Sequence, residues 1–320
     1  MDCIITVLVR LVQLFICEVV NMVKAEGLCK SFDKTEILKN LTCEIKDGTI
    51  YGLIGANGAG KSTLLRLIAG VYYPDRGSLK VDGEEIFDNV NKKREIVFVA
   101  DEFYFPSGCT VEQYAAMYAV FYDAFDYGFF WENIEKLGLP LKGKIMTFSK
   151  GMKRQLVMLC ALACRSRVVL FDETFDGLDP VVRNMMKNII YKEVAERGIT
   201  VIMTSHNLRE LEDICDCLGV LYQGGILFEG DVANIKSNVF KVQIAFKEDF
   251  SDKNFIGINV INFKKHGSVA ELIIRGDIDE TRAKLEALNP VLFDVLPLTL
   301  EEIFIYEMEV LGYAYENLSV

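Results

Sequence analysis

The chain has 320 residues, enough for two domains of ordinary size, and about half of them are hydrophobic, so it can bury a substantial core. Its net charge of −11 and its pI of about 4.9 argue against a nucleic-acid-binding protein, which would need a basic surface to meet phosphates. The nine cysteines are an odd number and show no disulfide-framework spacing. They indicate a protein of the reducing cytosol.

The N-terminal segment is apolar but is a poor membrane span. Residues 4–20 are shorter than the roughly 20 apolar residues that a span needs, and Arg10, Gln13 and Glu18 interrupt them. A secretory signal is also disfavoured, because no positive charge precedes the run and no small-residue cleavage site follows it. We favour residues 1–21 as a dispensable extension before a start at Met22. The alternatives are an amphipathic segment lying on a membrane or partner, and a true span.

Strand-like and helix-like segments alternate from Met22 to about Gly230. Short, β-rich apolar runs predict buried strands at 50–55, 94–100, 167–173 and 199–205. Helical patterns lie between them, at 63–68, 180–196 and 207–214. This alternation predicts an α/β core with a mostly parallel sheet and helices on its faces. Residues 110–165 contain no strand pattern and predict an inserted helical subdomain.

The pattern changes near Ser237. Strands are predicted at 239–246, 269–276 and 291–295, with helices at 278–288 and at the C-terminus. Thr299 and Glu302 have the spacing of a capping box at the start of that last helix. We therefore divide the chain into a domain at 22–237 and a small α+β accessory domain at 238–320, whose predicted role is structural or regulatory.

A phosphate-binding motif follows the first predicted buried strand. Gly55-Ala-Asn-Gly-Ala-Gly-Lys61-Ser62 fits G-x-x-x-x-G-K-[ST] and opens a predicted helix, which is the context that the motif requires. The glycines let backbone N–H groups close around phosphates, and the helix N-terminus adds favourable partial charge. Lys61 is placed for the β- and γ-phosphates and the Ser62 hydroxyl for Mg²⁺. The predicted nucleotide contacts here are Gly55, Ala56, Asn57, Gly58, Ala59, Gly60, Lys61, Ser62 and Thr63.

Two carboxylates follow a second buried strand. Val168–Phe171 are apolar, and Asp172 and Glu173 come directly after them, about 110 residues beyond the phosphate-binding loop. An acid at the carboxyl end of a buried strand is placed to hold Mg²⁺. The next acid, Glu173, is then predicted to polarise the attacking water as general base.

The order of the motifs resembles that of the ABC-cassette ATPases over residues 22–236. Phe148-Ser-Lys-Gly-Met152 is similar to the LSGGQ signature, and Asp176-Gly-Leu-Asp179 resembles the D-loop. Thr204-Ser-His206 closes the next strand and resembles the switch histidine, which gives His206 a catalytic role. Phe32 stands where the family places an aromatic residue that stacks on adenine. More weakly, residues 297–304 are similar to the tails of ABC-2-type exporter ATPases.

The resemblance implies ATP and Mg²⁺ as cofactors and a nucleotide-sandwich dimer of this chain with itself or with a paralogue. Ser149 and Gly151 would contact the γ-phosphate that is bound to the partner. It also implies a separate multi-spanning permease at the cytoplasmic face of the cell membrane, with export favoured over import and no nucleic-acid partner. The resulting fold class is a P-loop NTPase core with an antiparallel β subdomain and a helical subdomain, followed by the C-terminal α+β domain.

The chain departs from the family pattern at four positions. Lys150 and Met152 replace Gly and Gln in the signature, although the two residues implied to touch phosphate, Ser149 and Gly151, are kept. Asp101 stands at the usual Q-loop glutamine, and we expect it to contact Mg²⁺ directly or through water. Thr174 replaces a proline after Glu173. We expect that replacement to loosen the turn without removing chemistry.

Two other functions compete with a transporter motor. The first is a soluble ABC ATPase that acts on ribosomes or on DNA. Members that act in translation resemble two cassettes on one chain, and members that act in DNA repair carry long coiled coils within the cassette. This sequence shows neither pattern. A small-molecule kinase or GTPase shares the phosphate-binding loop. The FSKGM signature and His206 disfavour this second class, and the guanine-reading N-K-x-D motif is absent from the sequence.

Overall fold

A computed structural model of the chain describes residues 21–310. The predicted extension at residues 1–21 therefore lies, apart from Asn21, outside the described residues. The described chain begins with an antiparallel sheet in the strand order β2-β1-β4-β5. Its strands are β1 (Asn21–Phe32), β2 (Thr35–Lys46), β4 (Arg76–Val81) and β5 (Glu84–Glu85). Exposed and buried residues alternate along the second half of β2, which therefore faces the core on one side only.

A six-stranded sheet forms the centre of the molecule, in the order β10-β9-β3-β8-β7-β6. Its strands are β3 (Ile50–Ile54), β6 (Ile96–Val99), β7 (Val168–Asp172), β8 (Thr200–Ser205), β9 (Cys217–Tyr222) and β10 (Gly225–Asp231). All neighbours pair in parallel except β10, which is antiparallel to β9. Strands β3, β7 and β8 are buried along their whole length, because the antiparallel sheet and α1 cover one face and helices cover the other. The predicted α/β fold with a mostly parallel sheet is confirmed.

Helices follow the strands in the order that the sequence predicts. They are α1 (Lys61–Ile68), α2 (Val90–Arg94), α3 (Val111–Phe121), α4 (Tyr127–Lys136), α5 (Lys150–Ala163), α6 (Pro180–Arg197) and α7 (Leu208–Glu212). Asp179 caps α6, and Pro180 occupies its first turn, where a missing N–H costs nothing. The stretch at 110–165 contains α3, α4, α5 and a short 3₁₀ helix at Ile145–Thr147, as expected of a helical subdomain. Helix α7 is shorter than its prediction at 207–214.

The last part of the chain forms a third sheet with its own apolar core. Helix α8 (Val232–Asn238) leads into β11 (Val239–Ala245), β12 (Val260–His266), β13 (Val269–Arg275), α9 (Ile278–Glu286) and β14 (Leu292–Leu296). The four strands are antiparallel in the order β12-β13-β11-β14. The sequence analysis missed β12, because Val260–His266 has no clear period-two pattern. The domain boundary near residue 237 stays a prediction.

The described chain ends in helix α10 (Leu300–Val310), which contacts α7 and α8. The predicted capping box starts this helix: Glu302 N donates to Thr299 Oγ1 at 3.2 Å, and Thr299 N donates to Glu302 Oε2 at 2.9 Å. Within residues 21–310, no helix has the length and apolar character that a membrane crossing requires.

Candidate nucleotide-binding site

The phosphate-binding loop lies between the carboxyl end of β3 and the first residue of α1, as predicted. Gly58 and Gly60 have positive φ angles of 81° and 113°. A Cβ atom on Gly60 would approach Leu38 Cδ2 to 2.6 Å, so only glycine fits there. The buried Lys61 side chain curls over the loop and donates through Nζ to Gly55 O at 2.6 Å. The same nitrogen lies 3.3 Å from Glu173 Oε1. The ammonium group therefore lies where it can pair with an incoming phosphate.

Asp172 is held at the end of β7 by two hydroxyl groups. Ser62 Oγ donates to Asp172 Oδ1 at 3.0 Å, and Thr204 Oγ1 donates to the same oxygen at 2.7 Å. Burial raises the pKa of Asp172 above its ordinary value, and these hydrogen bonds oppose that rise. The structure thus brings together two of the predicted metal ligands, Ser62 and Asp172, whose hard oxygen atoms suit Mg²⁺. Thr204, to which the sequence analysis gave no role, joins them.

Glu173, Asp176 and His206 form a cluster beside the loop. One ligand atom from each lies within 4.8 Å of the others. His206 Nδ1 lies 3.3 Å from Asp176 Oδ2 and 3.7 Å from Glu173 Oε2. The backbone N–H of Glu173 donates to Thr204 Oγ1 at 3.0 Å, which ties the turn after β7 to the end of β8. The proposed base and the proposed switch histidine therefore meet where two adjacent parallel strands end.

Asp176 is the most perturbed acid of this cluster. Burial raises its pKa to about 6, and the nearby Glu210 carboxylate adds to the rise, while His206 opposes it. The sequence analysis quoted Asp176 only as part of a motif. Glu210 carried no recognisable signal, because it enters the site from α7, a helix too short to show a clear pattern.

The signature residues begin α5 and lie apart from the loop of the same chain. Ser149 caps the helix, accepting from Met152 N at 3.2 Å. Gly151 faces Gly177, whose carbonyl oxygen would lie 3.7 Å from a Cβ atom added at Gly151. These contacts lie within α5 and at the turn that contains Gly177. The contact of Ser149 and Gly151 with phosphate stays a prediction.

Asp101 lies in the segment after β6 and forms an ion pair with Arg154 of α5. Arg154 Nη2 lies 3.0 Å from Asp101 Oδ1, and the Arg154 side chain is almost fully buried. The sequence analysis did not consider Arg154. The contact of Asp101 with a metal ion stays a prediction. Arg154 on α5 would compete with the ion for the Asp101 carboxylate.

Phe32 closes β1 with its ring partly exposed. Tyr72 packs edge-on against it at a centroid distance of 5.1 Å, and Lys30 Nζ lies 5.5 Å from the ring centroid. An exposed aromatic face beside a cation is a suitable stacking surface for a nucleotide base.

A cavity of about 830 Å³ opens beside the phosphate-binding loop. The loop forms one wall from Gly55 to Ala59, and the segment His206–Arg209 forms another. Glu301, Phe304 and Ile305 of α10 complete the rim. The described site thus combines a phosphate-binding loop, a buried aspartate that accepts hydrogen bonds from two hydroxyl groups, and an acid–histidine cluster. These features define the class of P-loop nucleoside triphosphatases.

Comparison with known proteins narrows this class to one family. The ABC transporter family model matches residues 38–176. The ABC transporter ATP-binding protein YtrB of Bacillus subtilis is 31% identical over 287 residues, which cover 89% of this chain and 97% of YtrB. The linearmycin resistance ATP-binding protein LnrL of the same species is 33% identical over 236 residues, covering 68% of this chain and 72% of LnrL. A solved ATP-binding subunit of an ABC transporter superposes with a TM-score of 0.61 at 24% identity, covering 67% of this chain and 92% of that one.

The chain belongs to the ABC transporter ATP-binding proteins. It is an ATP-binding subunit of an ABC transporter, and its enzymatic activity is ATP hydrolysis coupled to transport. Subunits of this family work with permease components in transporter complexes.

Proposed function

We propose that two copies of the chain, or one copy and a paralogue, close around two ATP molecules and drive a separate export permease. The observation that carries the dimer is the incompleteness of the site within one chain. Lys61, Asp172, Glu173 and His206 converge at the loop through direct contacts, whereas Ser149 caps α5 and Gly151 faces Gly177. A partner's signature helix would supply the missing N-terminal N–H groups to the γ-phosphate.

Each residue of the site has a chemical task in this proposal. Lys61 leaves Glu173 and pairs with the β- and γ-phosphates. Glu173 is then released to accept a proton from the attacking water. His206, whose Nδ1 lies 3.7 Å from Glu173 Oε2, would orient the γ-phosphate. Ser62 and Asp172 would hold Mg²⁺, which would offset the charge of the phosphates.

Strongly exposed apolar residues are the proposed contact for the permease. Tyr104, Val120 and Phe121 are 80%, 75% and 70% exposed, at the segment after β6 and at the end of α3. Single exposed apolar residues are ordinary, but three with exposures this high in and next to the helical subdomain suit contact with a helix of a membrane protein. This contact would hold the ATPase at the cytoplasmic face of the membrane. Export is favoured by the C-terminal resemblance and by LnrL, whose name describes linearmycin resistance.

A complementation experiment tests the dimer. Lys61→Ala removes the phosphate-binding cation and Ser149→Arg blocks the signature, so each variant alone should be inactive. In a mixed dimer both defects fall in one site, and the other site is intact. Mixing the two inactive proteins should therefore restore up to about a quarter of wild-type ATPase activity. No recovery at concentrations at which the wild type is active would show that the signature does not act across a dimer.

An affinity pull-down from mildly solubilised membranes of the host tests the permease. A stoichiometric multi-spanning protein supports the transporter complex, and its loss in a Tyr104→Asp/Phe121→Asp variant would locate the contact. Ribosomal or chromosomal proteins in its place would favour a soluble ABC ATPase instead.

A further inference from the structure

We infer that the C-terminal helix α10 is a positioning element for His206, acting through α7, so that docking of the C-terminal domain controls ATP turnover. The inference rests on the proposed catalytic role of His206. It gives residues 300–306 a task in the reaction that the nucleotide-binding residues themselves do not perform.

Helix α7 cannot hold its own shape. It has five residues, and isolated helices shorter than about 12 residues are marginal in water. His206 lies between the end of β8 and the start of this helix. Asn207 starts α7 by accepting from Arg209 N at 3.1 Å, and Asn207 N donates to Ser205 Oγ at 2.9 Å. The position of the imidazole therefore follows the position of α7.

The side of α7 that faces the active site is fixed by polar contacts. Glu210 is buried and accepts from Ser205 Oγ and from Arg183 Nη2, each at 3.0 Å. The same carboxylate influences Asp176, which lies next to His206. A displacement of α7 would thus move Glu210, Asp176 and His206 together.

The other side of α7 is covered by α10. Leu208, two residues after His206, lines a small apolar pocket with Leu300, Ile303 and Phe304. Leu208 and Ile303 are both buried. Polar contacts flank this apolar one: Arg209 Nε lies 2.9 Å from Glu301 Oε2, and Leu300 N donates to Glu212 Oε1 at 3.4 Å. The apolar contact is the larger of the two contributions, because the Arg209–Glu301 pair is largely exposed and water screens it.

The geometry makes the C-terminal domain part of the catalytic apparatus. Part of its sheet has its own apolar core, while Val239 and Ile273 of that sheet and Ile303 of α10 join the buried cluster that contains Leu208, in the segment that carries His206. With α10 docked, α7 is clamped between Glu210's polar partners and Ile303. With α10 displaced, ATP can still bind at the phosphate-binding loop, but the imidazole is no longer held over the γ-phosphate.

The test is Ile303→Ala in the full-length chain, with Ile256→Ala as the matched control. Both remove the same atoms from the C-terminal domain, but Ile256 is 89% exposed and Ile303 is buried against α7. Ile303→Ala should lower kcat by about 10- to 100-fold, with KM for ATP changed by less than about two-fold, because the catalytic group is misplaced rather than the nucleotide. Ile256→Ala should leave both constants unchanged.

The two histidines of the chain supply a direct readout. In a histidine-labelled NMR spectrum, His206 reports on the active site and His266, at the end of β12, reports on the C-terminal sheet. Ile303→Ala should shift or broaden the His206 imidazole signal and leave that of His266 in place. An unchanged kcat and an unchanged His206 signal would overturn the inference.

If Ile303→Ala also changes the NMR signal of His266, an exchange of the charges of Arg209 and Glu301 becomes the deciding experiment. Glu301→Arg should lower kcat by about two- to three-fold, and the double variant Arg209→Glu/Glu301→Arg should restore it. No loss in the single variant, or no recovery in the double, would overturn the inference. A His206→Gln variant separates this result from the proposed function. Normal turnover in His206→Gln would refute the catalytic role of His206. Slow turnover in His206→Gln together with normal turnover in Ile303→Ala would refute only the role of α10.

Discussion

Glu173 occupies an unusual backbone position for a residue with a long side chain. Its φ angle is +49°, in the left-handed region that such residues adopt at a cost. The turn is held because Glu173 N donates to Thr204 Oγ1 and the carboxylate lies 3.3 Å from Lys61 Nζ. The strain aims the side chain at the loop instead of along the strand direction, as the base assignment requires.

Glu173→Gln tests that assignment. The amide cannot accept the proton of the attacking water, but it keeps the length and hydrogen-bonding shape of the side chain. We expect ATP binding to be retained, steady-state turnover to fall by about 100-fold or more, and an ATP-bound dimer to accumulate. Size-exclusion chromatography with Mg-ATP and a phosphate-release assay measure these outcomes. Turnover at the wild-type rate would refute the role of Glu173.

Thr174 and Thr204 form a matched pair of buried hydroxyls beside the site. Thr204 Oγ1 donates to Asp172 and accepts from Glu173 N, whereas Thr174 Oγ1 is a buried atom with no hydrogen-bond partner among the described residues. Thr174→Val should therefore raise the free energy of unfolding by about 1 kcal/mol, and Thr204→Val should lower it by about 2 kcal/mol. Urea denaturation of both variants makes the comparison, and a destabilised Thr174→Val would show that this hydroxyl is satisfied.

The sequence identified residues whose chemistry is local to a motif and missed those that depend on tertiary contacts. Lys61, Ser62 and Asp172 were identified because loop, helix start and strand end are each visible in a few consecutive letters. Arg154 and Glu210 were not, since a buried Arg on α5 or a buried Glu on α7 has the same local sequence as an exposed one. Their partners, Asp101 and Arg183, are 53 and 27 residues away in the chain.

Between elements, the Asp101–Arg154 pair links the segment after β6 to the signature helix α5. Arg154 is almost fully buried, and its Nε has no hydrogen-bond partner among the described residues. Asp101 is about half exposed, so water partly screens the pair. The aspartate at the usual glutamine position thus compensates a buried cation on α5.

Asp101→Ala measures the strength of this link. Removing the carboxylate leaves the Arg154 cation without an opposite charge in a buried place, so the free energy of unfolding should fall by about 1 to 2 kcal/mol. The neighbouring Glu102→Ala is the control: Glu102 is exposed, and its removal should change stability by less than about 0.5 kcal/mol. Equal stabilities in thermal denaturation would show that Arg154 is neutralised in another way.

Element prediction succeeded where burial enforced a pattern. The central strands lie within about two residues of their predicted bounds, because two covered faces require a continuous apolar run. Strand β12 was missed because its residues are partly exposed and include Lys264, Lys265 and His266, so its place is set by pairing with β13. Helix α7 came out shorter than predicted, because its end is decided by the contacts of Glu212 with Lys236 and Leu300.

At the scale of the whole molecule, buried apolar residues form three clusters, and each cluster joins different elements of the fold. One holds the antiparallel sheet against one face of the central sheet, a second joins the other face to α5, α6 and α10, and the third belongs to the C-terminal sheet. The buried acids of the nucleotide-binding site are next in sequence to residues of the second cluster. The stability of the whole chain is therefore tied to the protonation of groups that serve catalysis.

Asp176 supplies a measurable case of that link. Burial and Glu210 raise its pKa from an ordinary value of 3.8 to about 6. Between these two pH values the folded chain therefore keeps a proton that the unfolded chain has released. Its contribution to stability is fully present below pH 4 and is lost as the pH rises through 6. Asp176→Asn removes the titration. The stability of this variant relative to the wild type should rise between pH 4 and pH 7 by about 1 to 3 kcal/mol.

Urea denaturation of both proteins across this pH range, without nucleotide or Mg²⁺, gives the difference directly. Other groups act in the opposite direction. Hydrogen bonds and cations lower the pKa values of Asp82 and Asp126, so protonation of these acids weakens the fold at low pH. Their effect is the same in both proteins and cancels in the difference. A flat difference between pH 4 and pH 7 would mean that Asp176 titrates as in the unfolded chain. A difference that rises with pH would instead mean that the acid–histidine cluster lowers stability at neutral pH, a cost that is expected where charged groups are gathered for catalysis.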